Sequence, residues 1–384
     1  MKTLFVSAAR PFNAETEQSL FLAAALAARG HACRWMAPPG SGSLMRAADA
    51  GLPVTEFPGT HFGNNPLRFA AQWRALRREV RRFGPDVIYT VESPAHLLGA
   101  LVRGAAAGAP GATGGRRGRP AALVRWRGSN TPLRRRPGSR ALYDRDTRFV
   151  LVPCARLAEE ARAAGFHTRH WRVLDGCVDG TRFCPGPAEA SAWMEAGLGP
   201  GAEVVALTAR LAPVKGVGIF LEALERVRRT RPRVAAVLMG EAWEGQEAAY
   251  RDGVARLGLE GAAHWLGRRE DVVRWLRLAR VGVVSSVGSE LHSRAALEYM
   301  ACGLPVAATR VGVLPEWLEG RPWARLAPPG DAAGLAEAIV ELLSDPAREE
   351  LGAAARAEAL TRFSPARFTS EVEAVLLEAA GAGE

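Results

Sequence analysis

The chain has 384 residues, 48% of them hydrophobic and 23% charged, which is enough for two α/β domains with full cores. No apolar run reaches about 18 residues, so a membrane-spanning helix is excluded. The five cysteines, Cys33, Cys154, Cys177, Cys184 and Cys302, are scattered without a CxxC pair, which excludes a disulfide framework or a zinc site and fits a reducing, cytoplasmic setting.

The formal net charge is +10, and of the 50 basic residues only Lys2 and Lys215 are lysines. Lys215 therefore stands out as a compact ammonium in a chain that otherwise uses planar guanidinium groups. The basic excess suits nucleic acid, an anionic membrane or a phosphorylated substrate. Nucleic acid is not expected as a partner. The chain shows no RNP aromatics, finger spacing or helix-turn-helix, and only 7% aromatics for base stacking.

The N-terminus, MKTLFVSAARPFNAE, has no signal-peptide apolar region and reads as a first strand over residues 3–7. Asn13 caps a helix to about Ala28, and His31 to Met36 is a second strand. The loop AARPFNAE lacks GxGxxG, so a dinucleotide site there is not expected. Pro66 to Phe83 is an amphipathic helix with Phe69, Trp73, Leu76, Val80 and Phe83 on one stripe. Its other faces carry Arg68, Arg74, Arg77, Arg78, Arg81 and Arg82. They form either a solvated face or a docking surface for anionic lipid, at roughly 1 kcal/mol per basic residue near a membrane.

Asp86 to Thr90 is a strand, followed by a helix to about Ala107 and a low-complexity loop over Gly104 to Pro120. Ala121 to Arg125, Phe149 to Val152 and His170 to Asp175 continue the sheet, with a helix over Arg156 to Ala164. Asp144-Arg145-Asp146 is a nominal DxD but reads as a solvated turn rather than a metal motif. His170 and His264 sit at strand starts as structural residues. GCVDGTRFCPGP and the polar run to Gly201 form a linker. Strands over residues 203–207, 234–239, 263–266, 281–286 and 304–308, and a short one near 323–326, alternate with helices. That alternation predicts a parallel, doubly wound sheet. Ser364-Pro365 opens a last helix to about Ala379.

The chemistry gathers where these later strands end. Arg210 and Lys215 lie beside a helix start, where two cations suit a diphosphate at roughly 1.5–3 kcal/mol per charged hydrogen bond. They can equally be read as surface charges. Gly240 and Gly267 permit close backbone approach at the next two strand ends, with Arg268 following. Glu290 lies in the loop after residues 281–286, and Ser293 is placed to cap the helix bearing Glu298. A carboxylate such as Glu298 can accept from both hydroxyls of a ribose, or pair with Arg294 at i and i+4. Four consecutive strand ends thus converge on one sheet edge, where ligands bind in open α/β sheets.

In this order the segments VLDGCVDGTRFCPG, TARLAPVKG, LMGE, WLGRREDV and SELHSRAALEYMACGLPVAATRVGVLPE resemble retaining glycosyltransferases of family 4, which have the GT-B fold. The last segment holds E-x7-E at Glu290 and Glu298. The stretch RWRGSNTPLRRRPGSRALY is similar to members that build lipopolysaccharide cores. The resemblance implies two Rossmann-like domains facing a cleft, over residues 1–183 and 184–363, with residues 364–384 as a helix crossing back to the first. It implies a nucleoside-diphosphate sugar as donor and no other cofactor or metal. The acceptor would be a cell-envelope glycan or lipid-linked molecule, with peripheral contact to anionic lipid on the inner face of the cytoplasmic membrane.

By the same resemblance Arg210 and Lys215 bind the diphosphate, Glu298 the ribose and Glu290 the donor sugar. The amides around His292 and Ser293, with Arg294 beside them, hold phosphate, while Gly240, Gly267 and Arg268 line the nucleotide pocket. Domain closure then excludes water. Three positions depart from the family pattern. Leu291-His292-Ser293 replaces Gly-Phe-Gly, Ala9-Arg10-Pro11-Phe12 replaces a Gly-rich turn, and Gly128 stands where a histidine is common, so that its role is either lost or taken over by Ser129, Asn130 or Glu92. A nucleotide-sugar epimerase or a binding-only relative on this fold are the alternatives.

Overall fold

The computed structural model describes residues 1–9, 13–58, 65–108, 119–133, 135–199 and 201–381. Arg10, Pro11 and Phe12, and most of the low-complexity loop (residues 109–118), lie outside the described residues. The chain divides into two compact units, one of Met1–Leu174 with Phe368–Glu384 and one of Asp175–Arg367.

The first unit runs β1 (Lys2–Val6), α1 (Ala14–Ala28), β2 (Ala32–Ala37), α2 (Gly42–Asp49), β3 (Val54–Glu56), α3 (Pro66–Phe83), β4 (Val87–Thr90), α4 (Ser93–Val102), β5 (Ala122–Trp126), β6 (Phe149–Val152), α5 (Ala155–Ala163) and β7 (Trp171–Val173). Its sheet has seven parallel strands in the order β3-β2-β1-β4-β5-β6-β7. The chain order reverses between β1 and β4, so crossovers on either side of that point place helices on both faces.

Local chemistry accounts for the helices. The Asn13 side chain accepts from the Thr16 amide at 3.0 Å and starts α1. Asn65 does the same for Leu67 and Arg68 at 3.0 and 3.2 Å, Pro66 sits at the first helical position, and Gly84 ends α3 with φ 61°. The stripe of α3 is its core side. Leu76 and Val80 are fully buried, and Phe69, Trp73 and Phe83 pack against the same cluster as Leu4, Ile88 and Leu98. Arg68, Arg74, Arg78, Arg81 and Arg82 are exposed, while Arg77 lies 5.2 Å over the Trp73 ring.

The helix expected to reach Ala107 ends as an α-helix at Val102 and continues as a 3₁₀ turn over Arg103–Gly108. The local helix breaker is Gly104, whose low helix propensity weakens the α turn there, while Ala105 and Ala106 still pack on the core. The Asp144-Arg145-Asp146 stretch is not an open turn but part of a π-helical turn, Ala141–Asp146. Asp144 accepts the His167 amide at 3.0 Å there, so it is spent on structure. His170 is structural as expected, bonding the Tyr143 carbonyl at 2.8 Å.

The second unit holds α6 (Ala190–Glu195), β8 (Glu203–Thr208), α7 (Val217–Thr230), β9 (Val234–Met239), α8 (Gln246–Arg256), β10 (Ala263–Trp265), α9 (Val272–Leu276), β11 (Ala279–Val284), α10 (Arg294–Ala301), β12 (Val306–Thr309), α11 (Leu314–Leu318), β13 (Ala324–Ala327), α12 (Ala332–Ser344) and α13 (Arg348–Arg362). Six parallel strands stand in the order β10-β9-β8-β11-β12-β13, reversing between β8 and β11. Phe220 and Leu224 of α7 and Ile339 and Leu342 of α12 close one core over Val205, Val281 and Val283.

The segment 176–183, expected with the first domain, is tied into this second unit. The Val178 amide donates to the Phe363 carbonyl at 2.9 Å, and Arg356 donates to the carbonyls of Gly180 and Phe183 at 3.3 and 3.1 Å. Asp175 accepts from Trp317 Nε1 and from Arg362, both at 2.8 Å. The last helix, α14 (Pro365–Ala380), carries Phe368, whose ring packs 6.4 Å from both Phe21 and Trp126 in the first unit. Glu373 pairs there with Arg29 and His31. Among the described residues no helix is long and apolar enough to cross a membrane.

Candidate functional site

The second sheet changes strand order between β8 and β11, and most of the charged candidates lie at the carboxyl ends beside that point. The loops after β8 and β9 are laced together. The Ala209 amide donates to the Met239 carbonyl at 2.8 Å, Leu211 to Glu241 at 2.9 Å and Trp243 to Leu211 at 3.0 Å. Gly240, at φ +151°, is required. A Cβ there would stand 1.9 Å from the Ala209 carbonyl oxygen. Its own amide bonds the Gly267 carbonyl at 2.8 Å and its carbonyl accepts from Trp265 Nε1 at 2.9 Å, which brings the β10 end into the same edge. Arg210 and Arg268 are exposed at these tips, and the Arg210 guanidinium lies 6.0 Å over the ring of Trp243, itself 61% exposed.

Lys215 ends a 3₁₀ turn, Pro213–Lys215, and Gly216 turns the chain into α7 at φ +64°. The turn presses on the β11 tip, so a Cβ at Gly216 would stand 2.0 Å from the Ser285 carbonyl oxygen. Ser285 Oγ donates to the Lys215 carbonyl and the Val287 amide to the Val214 carbonyl, each at 2.9 Å. The Lys215 ammonium donates to the Ser289 carbonyl at 3.1 Å and to the Glu290 carboxylate. Glu290 is 6% exposed, also accepts from Ser286 Oγ, and its carbonyl accepts the Val313 amide at 2.8 Å. Two candidates far apart in sequence thus form one buried-edge ion pair.

Ser293 precedes α10, but its hydroxyl does not cap it, because the backbone there departs from the extended geometry a capping side chain needs. The expected cap is therefore absent. Ser293 is 4% exposed, and among the described residues its Oγ has no hydrogen-bond partner. The ring nitrogen Nε2 of His292 is likewise out of solvent contact. Burial, with the nearby Arg294 charge second, pushes this histidine down to about 4, so it is neutral at physiological pH. Glu298 is half-buried on α10, four residues after the exposed Arg294. Tyr299, beside it and fully buried, went unmarked in the sequence, as did Ser286 and Gly312. The one sequence signal was Gly312 two residues before Leu314-Pro315, a glycine just past a strand.

In the first unit a second polar group gathers at the β1/β4 reversal. Glu92 accepts from Ser7 Oγ at 2.9 Å and the Ala8 amide at 2.6 Å, and burial raises its pKa. Glu15, in the first turn of α1, accepts from the Gly128 amide, and burial pushes it up to about 7. Arg125, 2% exposed, donates to the carbonyls of Thr90 and Val91. Ser129 donates to Thr131 Oγ1 at 2.9 Å, and Asn130 accepts from Arg156 at 3.1 Å. Among the described residues no three His, Cys, Asp or Glu side chains group as metal ligands.

Residues 19–182 match the family model described as Glycosyltransferase Family 4, and residues 202–345 match that described as Glycosyl transferases group 1. Over 153 residues the chain is 35% identical to D-inositol 3-phosphate glycosyltransferase of Segniliparus rotundus, a match covering 37% of this chain and 32% of that protein. Over 221 residues it is 32% identical to the protein of that name from Saccharomonospora viridis, covering 55% and 51%. Phosphatidyl-myo-inositol mannosyltransferase of Mycobacterium leprae is 30% identical over 173 residues, covering 44% and 45%. The chain thus spans from about a third to about half the length of these curated relatives. The structure of Anabaena HepE with UDP and glucose superposes with a TM-score of 0.79 at 21% identity, covering 98% of this chain and 100% of that one. WaaG, a glycosyltransferase involved in lipopolysaccharide biosynthesis, gives 0.66 at 14% identity, covering 96% and 99%. With a family model matched in each half and the same fold along nearly its full length, the chain belongs to the family 4, group 1 glycosyltransferases and has the GT-B fold.

Proposed function

We propose that the protein is a glycosyltransferase that takes a sugar from a nucleoside-diphosphate donor bound at the β8–β11 edge of the second unit. The observation that carries this reading is the Lys215–Glu290 ion pair at the sheet's switch point, beside the unpartnered Ser293 hydroxyl. A donor diphosphate draws the Lys215 ammonium to itself, with Arg210 and the first amides of α10 completing the anion site. Glu290, released from the ammonium, is then free to accept hydroxyls of the donor sugar. Glu298 accepts the ribose hydroxyls, Gly240 and Gly267 let the nucleotide approach the backbone, and Arg268, Arg294 and His292 line its surroundings.

As the glycosidic bond to the diphosphate breaks, negative charge grows on the leaving oxygen. Lys215, Arg210 and the amides are preorganised to meet it, so no metal ion is assigned a role. The acceptor hydroxyl attacks from the face the diphosphate leaves and the leaving phosphate takes its proton, which retains configuration. The acceptor is a cell-envelope glycan or a lipid-linked molecule. The names of the curated relatives make inositol phosphates and phosphatidylinositol the first acceptors to try. Work on a lipid-linked acceptor places the enzyme on the inner face of the cytoplasmic membrane, and the arginine face of α3 suits peripheral contact with anionic lipid.

Thermal unfolding in EDTA with UDP, GDP and ADP and their sugars should show a rise with one nucleotide class, lost in Glu298→Ala. Turnover with that donor and an inositol-bearing acceptor should follow, with the anomeric configuration read by NMR. Stabilisation by no nucleotide sinks the reading. Binding without turnover on any acceptor leaves a binding-only relative, and an isomerised donor marks an epimerase.

A further inference from the structure

Tyr299 follows Glu298 on α10, and its ring fills a slot over β11 that exists because residue 282 is glycine. A Cβ at Gly282 would come within 2.3 Å of the Tyr299 ring atoms Cγ and Cδ2. The phenol oxygen accepts the Thr208 amide at 2.5 Å and its hydroxyl donates to the Val283 carbonyl at 3.3 Å. The last paired residues of β8 and β11 are Leu207 and Val283, so the phenol bridges the two strands where their ladder stops. Thr208 leads through Ala209 into Arg210. One side chain therefore ties together the helix bearing Glu298, the end of β11 and the backbone bearing Arg210.

We infer that Tyr299 is a positioning residue for nucleoside-diphosphate recognition, holding the Glu298 helix at a set spacing from the Arg210 loop. This rests on the proposed donor site. A nucleoside diphosphate must meet Glu298 with its ribose and Arg210 with its phosphates at once, so it reads the spacing between them. A nucleoside reads only the first end, whereas inorganic pyrophosphate, held between Arg210 and the first amides of the Glu298 helix, also feels the spacing. Loss of the phenol hydroxyl leaves the ring in its slot but lets the two ends drift, and small misplacements are costly for a ligand held at both.

The test is Tyr299→Phe, which keeps the ring over Gly282. Binding of the preferred nucleoside diphosphate, its nucleoside and pyrophosphate is measured by ligand-observed NMR well below the unfolding temperature, with folding checked by circular dichroism. The expected result is about tenfold weaker binding of the nucleoside diphosphate, the size of a typical coupling between neighbouring groups, with pyrophosphate weakened alongside it and the nucleoside unchanged. In an Arg210→Ala background the same substitution should cost the diphosphate nothing further, because the phenol acts through that arginine. Equal losses for all three ligands, or an undiminished penalty in the Arg210→Ala background, show a purely structural tyrosine and overturn the inference. So does an unchanged affinity for the nucleoside diphosphate. Wild-type protein that binds no nucleoside diphosphate defeats the donor site itself, before any variant is compared.

Discussion

Lys215 and Glu290 are joined as an ion pair between the loop after β8 and the loop after β11, with the ammonium also held by the Ser289 carbonyl at 3.1 Å. Glu290 is 6% exposed, so removing its partner leaves a nearly buried carboxylate uncompensated. Lys215→Met should therefore lower unfolding free energy by about 3 kcal/mol, as breaking a buried pair does, and abolish nucleoside-diphosphate binding. Lys215→Arg should recover part of the stability but little of the binding, since a planar fork does not fit where a point charge is held. Denaturant unfolding and calorimetry check both. Lys215→Met as stable as wild type would remove the pair from the account.

Gly312 sits against the same glutamate. At φ +61°, a Cβ would stand 2.1 Å from the Glu290 carbonyl oxygen and 2.5 Å from its carbon. Gly312→Ala should cost at least about 2 kcal/mol, through both the left-handed backbone and the clash. It should also weaken donor-sugar binding more than binding of the free nucleotide, because what moves is the Glu290 backbone. A variant that unfolds like wild type would contradict this packing.

His292 sets a pH dependence of known sign. In the folded protein it is pushed down to about 4, whereas the unfolded chain takes up that proton near pH 6.5. Between those values the unfolded state binds more protons, so stability is full above pH 6.5 and lost as pH falls toward 4. The loss assigned to this one residue is about 3 kcal/mol. His292→Asn should flatten that part of the stability curve in urea titrations at successive pH values. A curve of unchanged slope would show that the ring is not held neutral.

The exposed arginines of α3 make a membrane test straightforward. Reversing Arg78, Arg81 and Arg82 to glutamate should leave the Leu76 and Val80 core side intact, and with it the fold. Flotation with phosphatidylglycerol-rich vesicles should show affinity falling by about a hundredfold or more, at roughly 1 kcal/mol for each basic residue lost and more for reversal. Vesicles of phosphatidylcholine alone should bind neither form. Equal binding of both proteins to anionic vesicles would make the arginine face an ordinary solvated one.

The features legible along the chain are local ones. The bounds of α3 are written in Asn65-Pro66 and Gly84, and the strands over residues 149–152 and 234–239 are short apolar runs whose ends are legible from their neighbours. The short edge strand β3 is not legible because three residues do not span enough of a repeat to show a period, and α2 is hidden because it follows Pro38-Pro39-Gly40-Ser41 and opens with Gly42-Ser43, which read as loop. The motif spacing named Arg210, Lys215, Glu290 and Glu298 without touching their geometry. The fold brings Lys215 to Glu290, 75 residues away in sequence, leaves the Ser293 hydroxyl without a partner among the described residues instead of capping, and sets Tyr299 as a bridge between Thr208 and Val283 over Gly282. The physical reason is the parallel sheet itself. Its strands are joined by crossovers tens of residues long, so the side chains that meet at one edge have no fixed relation along the chain.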